Sequence, residues 1–413
     1  MEGLKRKILV IGINCLPDLT GIGKYTGEML SWLVEQGNEV TMITAAPYYP
    51  QWKVQAPYSG NWYRTESLYE GNLTIYRCPL YIPKNPSGIK RLMHEASFFL
   101  SAFFVVLRLL FAGGADVVLC IAPPFHLGFL GLIYRFFKKA KVCYHIQDLQ
   151  IDAAKELKIL KSDWIFSFLF GMERFILNHV DLVSTISLGM KRKVLLKFNK
   201  SVVLFPNWVD TESNFPLHDD TLKLRWGFST EDKIVLYSGS IGEKQGLENI
   251  LIIADRFKER EQIKFVICGT GPFKERLIER ASDMGLKNVI FMPLQEKKVF
   301  NEFLNLADIH LVLQKGDAGD LVMPSKLTAI LAVGGLVLVT ANPGTSLYDV
   351  IDEHKLGILV QPESLDALYL GIQNGLLLDS VTIKTNARNY AEKYLSKNNI
   401  MKDFQSDLYK VLN

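Results

Sequence analysis

Lys326 stands at an unusual place, at the start of an apolar run within the stretch GDLVMPSKLTAILAVGG, residues 319–335. Pro324 and Ser325 precede it and predict a helix start, because proline tolerates the first turn and serine can cap free backbone N–H groups. A helix N-terminus carries partial positive charge, so a lysine beside it indicates a site for an anion such as a phosphate. The alternative is a lysine that extends out of a buried helix to reach solvent.

Two glycine-rich turns follow predicted strands in the same half of the chain. The turn after KIVLYSG combines small residues, a lysine and a glycine before a helix, which suits a diphosphate. Its candidate residues are Gly239, Ser240, Lys244, Gln245 and Gly246. The turn after KFVICG contains Gly269, Gly271 and Pro272, whose backbone could lie against a nucleobase or a ribose. A surface lysine and a plain tight turn are the respective alternatives.

The first half of the chain offers two further candidates. Gly21 and Gly23 open a predicted helix after the first strand, so backbone N–H groups there could approach a ligand, although an ordinary glycine-rich turn has the same composition. His145 ends the predicted strand KVCYHI and Asp148 follows three residues later. Such a pair could position a sugar hydroxyl or transfer a proton, or it could be structural.

Composition indicates a globular protein without bound metal. The 413 residues are 48% hydrophobic and 22% charged, enough for two or three domains. The five scattered cysteines form no CxxC motif, no Asp-x-Asp triplet stands at a strand end, and the N-terminus lacks the regions of a signal peptide. We therefore expect buried, reduced thiols, no metal, no cofactor, no nucleic-acid partner and a cytoplasmic location.

The elements that must position these residues alternate between strand and helix in both halves, which predicts α/β architecture with two doubly wound parallel sheets. We expect an N-terminal Rossmann-like domain at residues 1–205 and a second at 206–382. A helical segment at 383–413 could pack back on the first domain. Residues 51–86, rich in Tyr, Pro and Gly, suggest an elaborated loop. Ligands of such sheets bind beyond the carboxyl ends of the strands, so a cleft between two facing sheets is the expected site.

The order of these features resembles the retaining glycosyltransferases of family four, which have the GT-B fold. FVICGTGPFKERL, ADIHLVLQ and PSKLTAILAVGG carry the resemblance in the second half. TGIGKYTGEMLSWL and TAAPYYPQWKV are similar to the narrower group of colanic-acid-type exopolysaccharide enzymes, the WcaI type. Many family members have Arg and Lys where this chain has Ser240 and Gln245. The two glutamates that the family often places eight residues apart are replaced by Leu321 and Ala329.

The resemblance implies a function for each candidate. Gly21, Gly23, the two later glycine turns and the segment Met323, Pro324, Ser325, Lys326 and Leu327 would contact a nucleotide-sugar donor. Lys326 would neutralise the leaving diphosphate without a metal, with His145 and Asp148 on the acceptor side. The WcaI type suggests GDP-fucose as donor and a polyprenyl-diphosphate-linked sugar as acceptor. A UDP-sugar donor, a GT-B nucleotide-sugar epimerase and a nucleotide-binding module without catalysis are the alternatives.

Charge and hydropathy indicate a membrane surface as a further partner. Residues 1–205 contain 24 Lys+Arg and 15 Asp+Glu, a net charge of +9, which leaves −5 for the rest of the total of +4. The charge-free run Ala96–Leu107 is shorter than the roughly 20 residues that span a bilayer, so we expect no transmembrane helix. It is either a core helix or one that also contacts an anionic membrane, with basic residues near both it and a second apolar helix: Lys84, Lys90, Arg91, Lys138, Lys139 and Lys141.

Overall fold

The chain folds into two compact units in a computed structural model that describes residues 5–18, 21–49, 52–60, 62–84, 88–156, 162–242, 245–314 and 324–412. The first unit comprises Met1–Pro206 together with Met401–Asn413, and the second comprises Asn207–Ile400. Residues 383–413 are therefore divided between the two units, and those from Met401 onward belong to the first.

The first unit is built on a sheet with the strand order β3-β4-β2-β1-β5-β6-β7-β8 over its described residues. Every neighbouring pair is parallel except β3 and β4, which are antiparallel. The central strands are continuous apolar runs because helices cover both faces of a parallel sheet. The strands are β1 Lys7–Ile11, β2 Glu39–Ala45, β3 Arg64–Leu68, β4 Leu73–Cys78, β5 Val117–Ala122, β6 Lys141–Ile146, β7 Leu182–Thr185 and β8 Val202–Leu204.

The helices of this unit connect the strands in the predicted alternation. They are α1 Gly21–Glu35, α2 Gly88–Leu109, α3 Leu127–Lys138, α4 Gln150–Glu156, α5 Asp163–His179 and α6 Leu188–Leu195. Among the described residues, α2 alone has the length and composition of a membrane-spanning helix, and 33% of its most apolar window is buried. This is weak evidence for a span, because a core helix meets the same criteria.

The expectation of a loop over residues 51–86 was wrong, since β3 and β4 lie within it. In β4 the side chains of Leu73 and Ile75 are buried beside β2, whereas β3 is an exposed polar edge strand. The edge strand β3 carries little apolar patterning, and β3 and β4 are only five and six residues long. Two short strands, one of them polar, in a segment rich in proline and glycine therefore resembled a loop in the sequence.

The second unit has a parallel sheet with the order β11-β10-β9-β12-β13-β14. Its strands are β9 Lys233–Ser238, β10 Ile263–Cys268, β11 Val289–Met292, β12 Ile309–Val312, β13 Val337–Thr340 and β14 Gly357–Val360. The order reverses between β9 and β12, and such a switch point is where doubly wound sheets bind ligands. The helices are α7 Leu222–Arg225, α8 Glu248–Arg256, α9 Lys274–Asp283, α10 Lys297–Asn305, α11 Lys326–Ala332, α12 Ser346–Glu353, α13 Leu365–Leu377 and α14 Val381–Tyr394.

The last helix, α15 Lys397–Leu412, begins in the second unit and ends in the first. Its Phe404 stacks on Phe205 with ring centroids 3.7 Å apart, and the Tyr409 hydroxyl donates to Oδ1 of Asn38 over 3.2 Å. These contacts hold the end of the chain against the first unit. All five cysteines are free and buried, as expected from their positions.

Candidate active site

The turns after β9 and β10 lie directly against each other. Gly239 has φ 151° and Gly269 has φ 149°, in a region that favours glycine. A Cβ on Gly269 would overlap the carbonyl oxygen of Gly239, and one on Gly271 would overlap that of Ile241. Gly269 and Gly271 are therefore needed, because only residues without a Cβ allow the second turn to approach the backbone of the first so closely.

Hydrogen bonds fix these two turns as one surface. The Gly239 N–H donates to the Cys268 carbonyl, and the Ile241 N–H donates to that of Thr270, both over 2.9 Å. Lys274 Nζ donates to the Gly269 carbonyl over 3.1 Å and closes the second turn. Gly271 and Pro272 are exposed at its edge, so a flat ligand can reach their backbone.

The amine of Lys326 lies beneath the first of these turns. Its Nζ is buried, with no hydrogen-bond partner among the described residues, and is 3.6 Å from the ring centroid of Tyr237. A Cβ placed on Gly239 would be 2.9 Å from this Nζ. The side chain therefore lies against the Gly239 turn and does not extend to solvent, which excludes the snorkelling alternative.

Burial lowers the pKa of Lys326 to about 7. The cause is desolvation, since a buried ammonium loses hydration and the ring of Tyr237 replaces only part of it. An anion placed beside Nζ would restore the missing partner and favour the charged form. The geometry thus brings together Gly239, Gly269 and Lys326 at the switch point in a form suited to a phosphate.

The predicted capping role of Ser325 was wrong. Ser325 has helical backbone angles and its side chain makes no cap hydrogen bond. The turn is closed by the Leu327 N–H, which donates to the Pro324 carbonyl over 3.0 Å. Because α11 has only seven residues, its macrodipole is short and Lys326 itself supplies most of the positive charge.

The remaining predicted residues of this unit have varied positions. Ser240 is exposed and its carbonyl accepts the Tyr237 hydroxyl over 2.7 Å, while Gly246 adopts φ 61° before α8. Gln245 lies beside a cavity of about 20 Å³, which is room for one water. Leu327 and Ala329 are core residues, 3% and 8% exposed. Lys244, Leu321 and Met323 lie outside the described residues.

In the first unit, the start of α1 is filled by a carboxylate of the chain itself. A Cβ on Gly23 would overlap the side chain of Asp18, so this glycine makes room for Asp18. Gly21 has φ 59° with open space around it. The expected approach of a ligand to the backbone therefore remains open only at Gly21. Burial raises the pKa of Asp18 to about 6, against the opposing effects of Asn14 and Arg77.

His145 does not reach the ligand-binding edge of its sheet. Its side chain is 2% exposed, its Nδ1 lies 3.0 Å from Ser184 Oγ on β7, and its ring packs against Phe205. Burial lowers the pKa of His145 to about 3, so the ring is neutral. This placement favours the structural alternative over proton transfer. Asp148 is half-buried beyond the end of β6, and it adds to the effect of burial in raising the pKa of Glu95.

Sequence reasoning missed Tyr237 and Asp18. Tyr237 stands two residues before Gly239, and the period of two in a strand would have placed both on the same face. Nothing in the sequence indicated a role for Asp18, because Gly23, which makes room for its side chain, was interpreted as a ligand-binding glycine. Among the described residues no group of three His, Cys, Asp or Glu side chains is placed to hold a metal ion.

Family models match both units. Residues 20–208 match the "Glycosyl transferase 4-like domain" and residues 219–394 match "Glycosyl transferases group 1". The chain is also similar to the Escherichia coli (strain K12) protein named "Putative colanic acid biosynthesis glycosyl transferase WcaI". The two are 42% identical over 411 residues, which cover 97% of this chain and 99% of that protein.

Solved structures share the fold at low identity. Sucrose-phosphate synthase from Thermosynechococcus elongatus is similar with a TM-score of 0.74 and 16% identity, covering 99% of each chain. HepE from Anabaena, solved in complex with UDP-glucose, is similar with a TM-score of 0.70 and 13% identity, covering 98% of this chain and 100% of that one.

Proposed function

Because this chain belongs to the GT-B glycosyltransferases, in the group that includes WcaI, we propose that it transfers a sugar from a nucleotide donor, with retention, to a lipid-linked oligosaccharide. The product would be part of an exopolysaccharide, for example colanic acid, which appears in the name of the E. coli relative. The donor site is the pair of glycine turns with Lys326, together with the neighbouring Ser240, Gln245 and Gly246. In this proposal Asp148 contributes to the acceptor side of the site, whereas His145 has a structural function in its strand.

The observation that carries this proposal is the buried amine of Lys326 against Gly239. Glycosyl transfer leaves negative charge on the departing nucleoside diphosphate, and a preorganised cation lowers the energy of that state. The free protein bears the cost of burying this amine before any ligand binds, as expected for a site that is complete only with an anion. In this proposal the protein supplies the neutralising charge and no metal is required.

We infer GDP-fucose as donor from the similarity to the WcaI type. A UDP-sugar is the second candidate, supported by the structural similarity to HepE, which binds UDP-glucose. The exposed backbone at Gly271 and Pro272 would support the base of either nucleotide.

A polyprenyl-linked acceptor would be presented at a membrane, so we propose a cytoplasmic enzyme that binds the inner, anionic membrane surface. Large apolar side chains exposed on the first unit support this assignment: Ile89 69%, Leu100 60%, Phe104 63%, Phe136 80% and Trp164 72%. Exposed lysines lie on or beside α2 and α3: Lys90 is near the start of α2, and Lys139 follows the end of α3. Each basic residue near an anionic surface contributes about 1 kcal/mol.

The proposal is tested by thermal unfolding of the full chain with GDP, UDP, ADP and TDP. A nucleotide at about 100 times its dissociation constant adds about 2.7 kcal/mol to the free energy of unfolding. Sugar transfer from the corresponding nucleotide sugars is then measured with and without EDTA, and activity should persist in EDTA. No stabilisation by any nucleotide would reject the proposal, and epimerisation of the free nucleotide sugar without acceptor would favour an epimerase.

A further inference from the structure

The segment TAAPYYPQWKV contributes two aromatic side chains to a cluster in the first unit that the donor site does not use. Tyr48 is 5% exposed and Trp52 is half-buried. The ring of His94, on α2, lies 4.7 Å from that of Tyr48 and 5.2 Å from that of Trp52, centroid to centroid. The three rings thus meet beyond the carboxyl end of β2, on the edge of the sheet where ligands bind.

One ring nitrogen of His94 is buried and makes no hydrogen bond within the described part of the chain. Its Nδ1 is 2.5 Å from the Tyr81 carbonyl oxygen, which can only accept, so Nδ1 bears the proton. The ring is 2% exposed, and burial lowers the pKa of His94, as does the nearby charge of Arg91. Nε2 is therefore a lone-pair acceptor that points away from Tyr81, and it has no hydrogen-bond partner among the described residues. A hydroxyl donor from a ligand would satisfy it.

Carboxylate and amide groups adjoin the rings. Glu95 is 8% exposed and accepts from Gln150 Nε2 over 2.6 Å. Burial raises the pKa of Glu95, and Asp148 adds to this effect while Arg91 opposes it. On the other side, Asn14 hydrogen-bonds the Tyr48 side chain and lies 3.5 Å from Oδ2 of Asp18. The cluster therefore offers hydrogen-bond acceptors and donors around an aromatic surface.

We propose that Asn14, Asp18, Tyr48, Trp52, His94 and Glu95 form the subsite for the acceptor's sugar, a neutral pyranose, which rests on the transferase function proposed above. A pyranose has an apolar C–H face that packs on aromatic rings and hydroxyls that both donate and accept. The carboxylates of Asp18 and Glu95 are offset by Arg91, whose guanidinium lies 6.0 Å from the Trp52 ring centroid, so the mixed charge around the rings suits a neutral sugar better than a diphosphate. The diphosphate of the lipid-linked acceptor therefore lies outside this subsite.

The kinetic test separates acceptor from donor recognition. The probes are monosaccharides joined through a diphosphate to a short alkyl chain, with the donor identified by nucleotide screening. Trp52→Leu and Glu95→Gln should raise the acceptor KM by about tenfold or more, with the donor KM within about twofold of wild type. The matched controls Trp62→Leu and Glu35→Gln change exposed residues of the same unit and should change neither KM. An acceptor KM close to wild type in both test variants would overturn the subsite.

Two further measurements distinguish a loss of acceptor binding from misfolding of a variant and from a lack of turnover. Each variant must unfold at the wild-type midpoint and bind nucleotide as wild type does. If a variant fails this requirement, Tyr48→Phe, which removes only one hydroxyl, is used in its place. Saturation-transfer NMR with methyl hexopyranosides tests the subsite without turnover. Wild type should saturate the sugar protons and Trp52→Leu should not, whereas equal signals, or none from wild type, would overturn it. If wild type transferred no sugar from any donor but still gave the expected NMR signals, the transferase function would be rejected and the sugar-binding subsite would stand.

Discussion

Lys326 carries a buried amine without a hydrogen-bond partner among the described residues, and in the proposed function this amine stabilises the departing diphosphate. Replacing it with alanine removes a buried amine that makes no hydrogen bond to the described residues, so Lys326→Ala should fold normally. Turnover should fall by about 10²-fold or more, corresponding to roughly 2.7–4 kcal/mol of lost charge stabilisation. The measurement is steady-state sugar transfer by the purified variant.

The matched control for this variant is Lys287→Ala, which removes an exposed lysine from the same unit. Its turnover should equal that of wild type. If Lys326→Ala were within about twofold of the control, the amine would have no role in stabilising the leaving group.

Binding of a diphosphate should depend on pH through the same amine. The pKa of Lys326 is about 7 in the free protein, and a bound diphosphate favours the ammonium and raises it. Binding above about pH 7 therefore takes up a proton, and affinity should fall by up to about tenfold per pH unit towards pH 9. Calorimetry in two buffers of different ionisation enthalpy measures this uptake. Lys326→Met should bind without it, and pH-independent affinity in wild type would contradict the assignment.

The sequence singled out Lys326 and His145 by residue type and position, but it did not reveal which side chains surround them. Lys326 was identifiable because a lysine is unusual at the start of an apolar helix. Its Tyr237 partner was not, since that contact joins residues 89 positions apart in sequence. His145 was given a possible chemical role because it ends a strand, but only the fold shows that Phe205 and Ser184 enclose it.

At the scale of elements, the proposed donor site depends on two turns whose close contact requires glycine. Gly269→Ala would place a methyl group into the Gly239 carbonyl, so the turns must separate. We expect a loss of roughly 1–3 kcal/mol in the free energy of unfolding and weaker nucleotide binding. Denaturant unfolding and calorimetry measure the two effects.

Gly285→Ala separates the steric effect from the backbone effect. Gly285 also has positive φ, 65°, but a Cβ there would meet nothing within 4 Å. The Gly285→Ala variant should lose about 1–2 kcal/mol in the free energy of unfolding, because alanine is strained at these backbone angles, and it should bind nucleotide as wild type does. If both variants bound nucleotide equally well, the contact between the turns would not shape the site.

Element types were predictable where apolar periodicity was strong and less so where structure depended on tertiary contacts. The central strands β1, β5, β6, β9 and β10 were recognisable as apolar runs bounded by turns. The edge strand β3 was not, because its residues are mostly exposed and its pairing with β4 is what makes it a strand. The start of α11 matched a capping signal, although Ser325 makes no cap hydrogen bond.

For the molecule as a whole, the uneven charge and the exposed apolar residues predict binding to anionic vesicles. Phe104→Ser should weaken binding by removing an exposed aromatic from α2, as should Lys90→Glu. Co-sedimentation at low and high salt measures both, and salt should weaken binding. Leu377→Ser, which changes an 81% exposed residue of the second unit, is the control and should bind like wild type. Absence of binding to anionic vesicles at low salt would contradict the proposal.

The most direct test of the central claim is calorimetric binding of nucleoside diphosphates and monophosphates to wild type and to Lys326→Met. A charged hydrogen bond contributes about 1.5–3 kcal/mol, so wild type should bind GDP or UDP about tenfold or more tighter than the matching monophosphate. Lys326→Met should lose that preference while keeping its affinity for the monophosphate. An undiminished preference for the diphosphate in Lys326→Met would contradict the placement of the donor's diphosphate beside this amine.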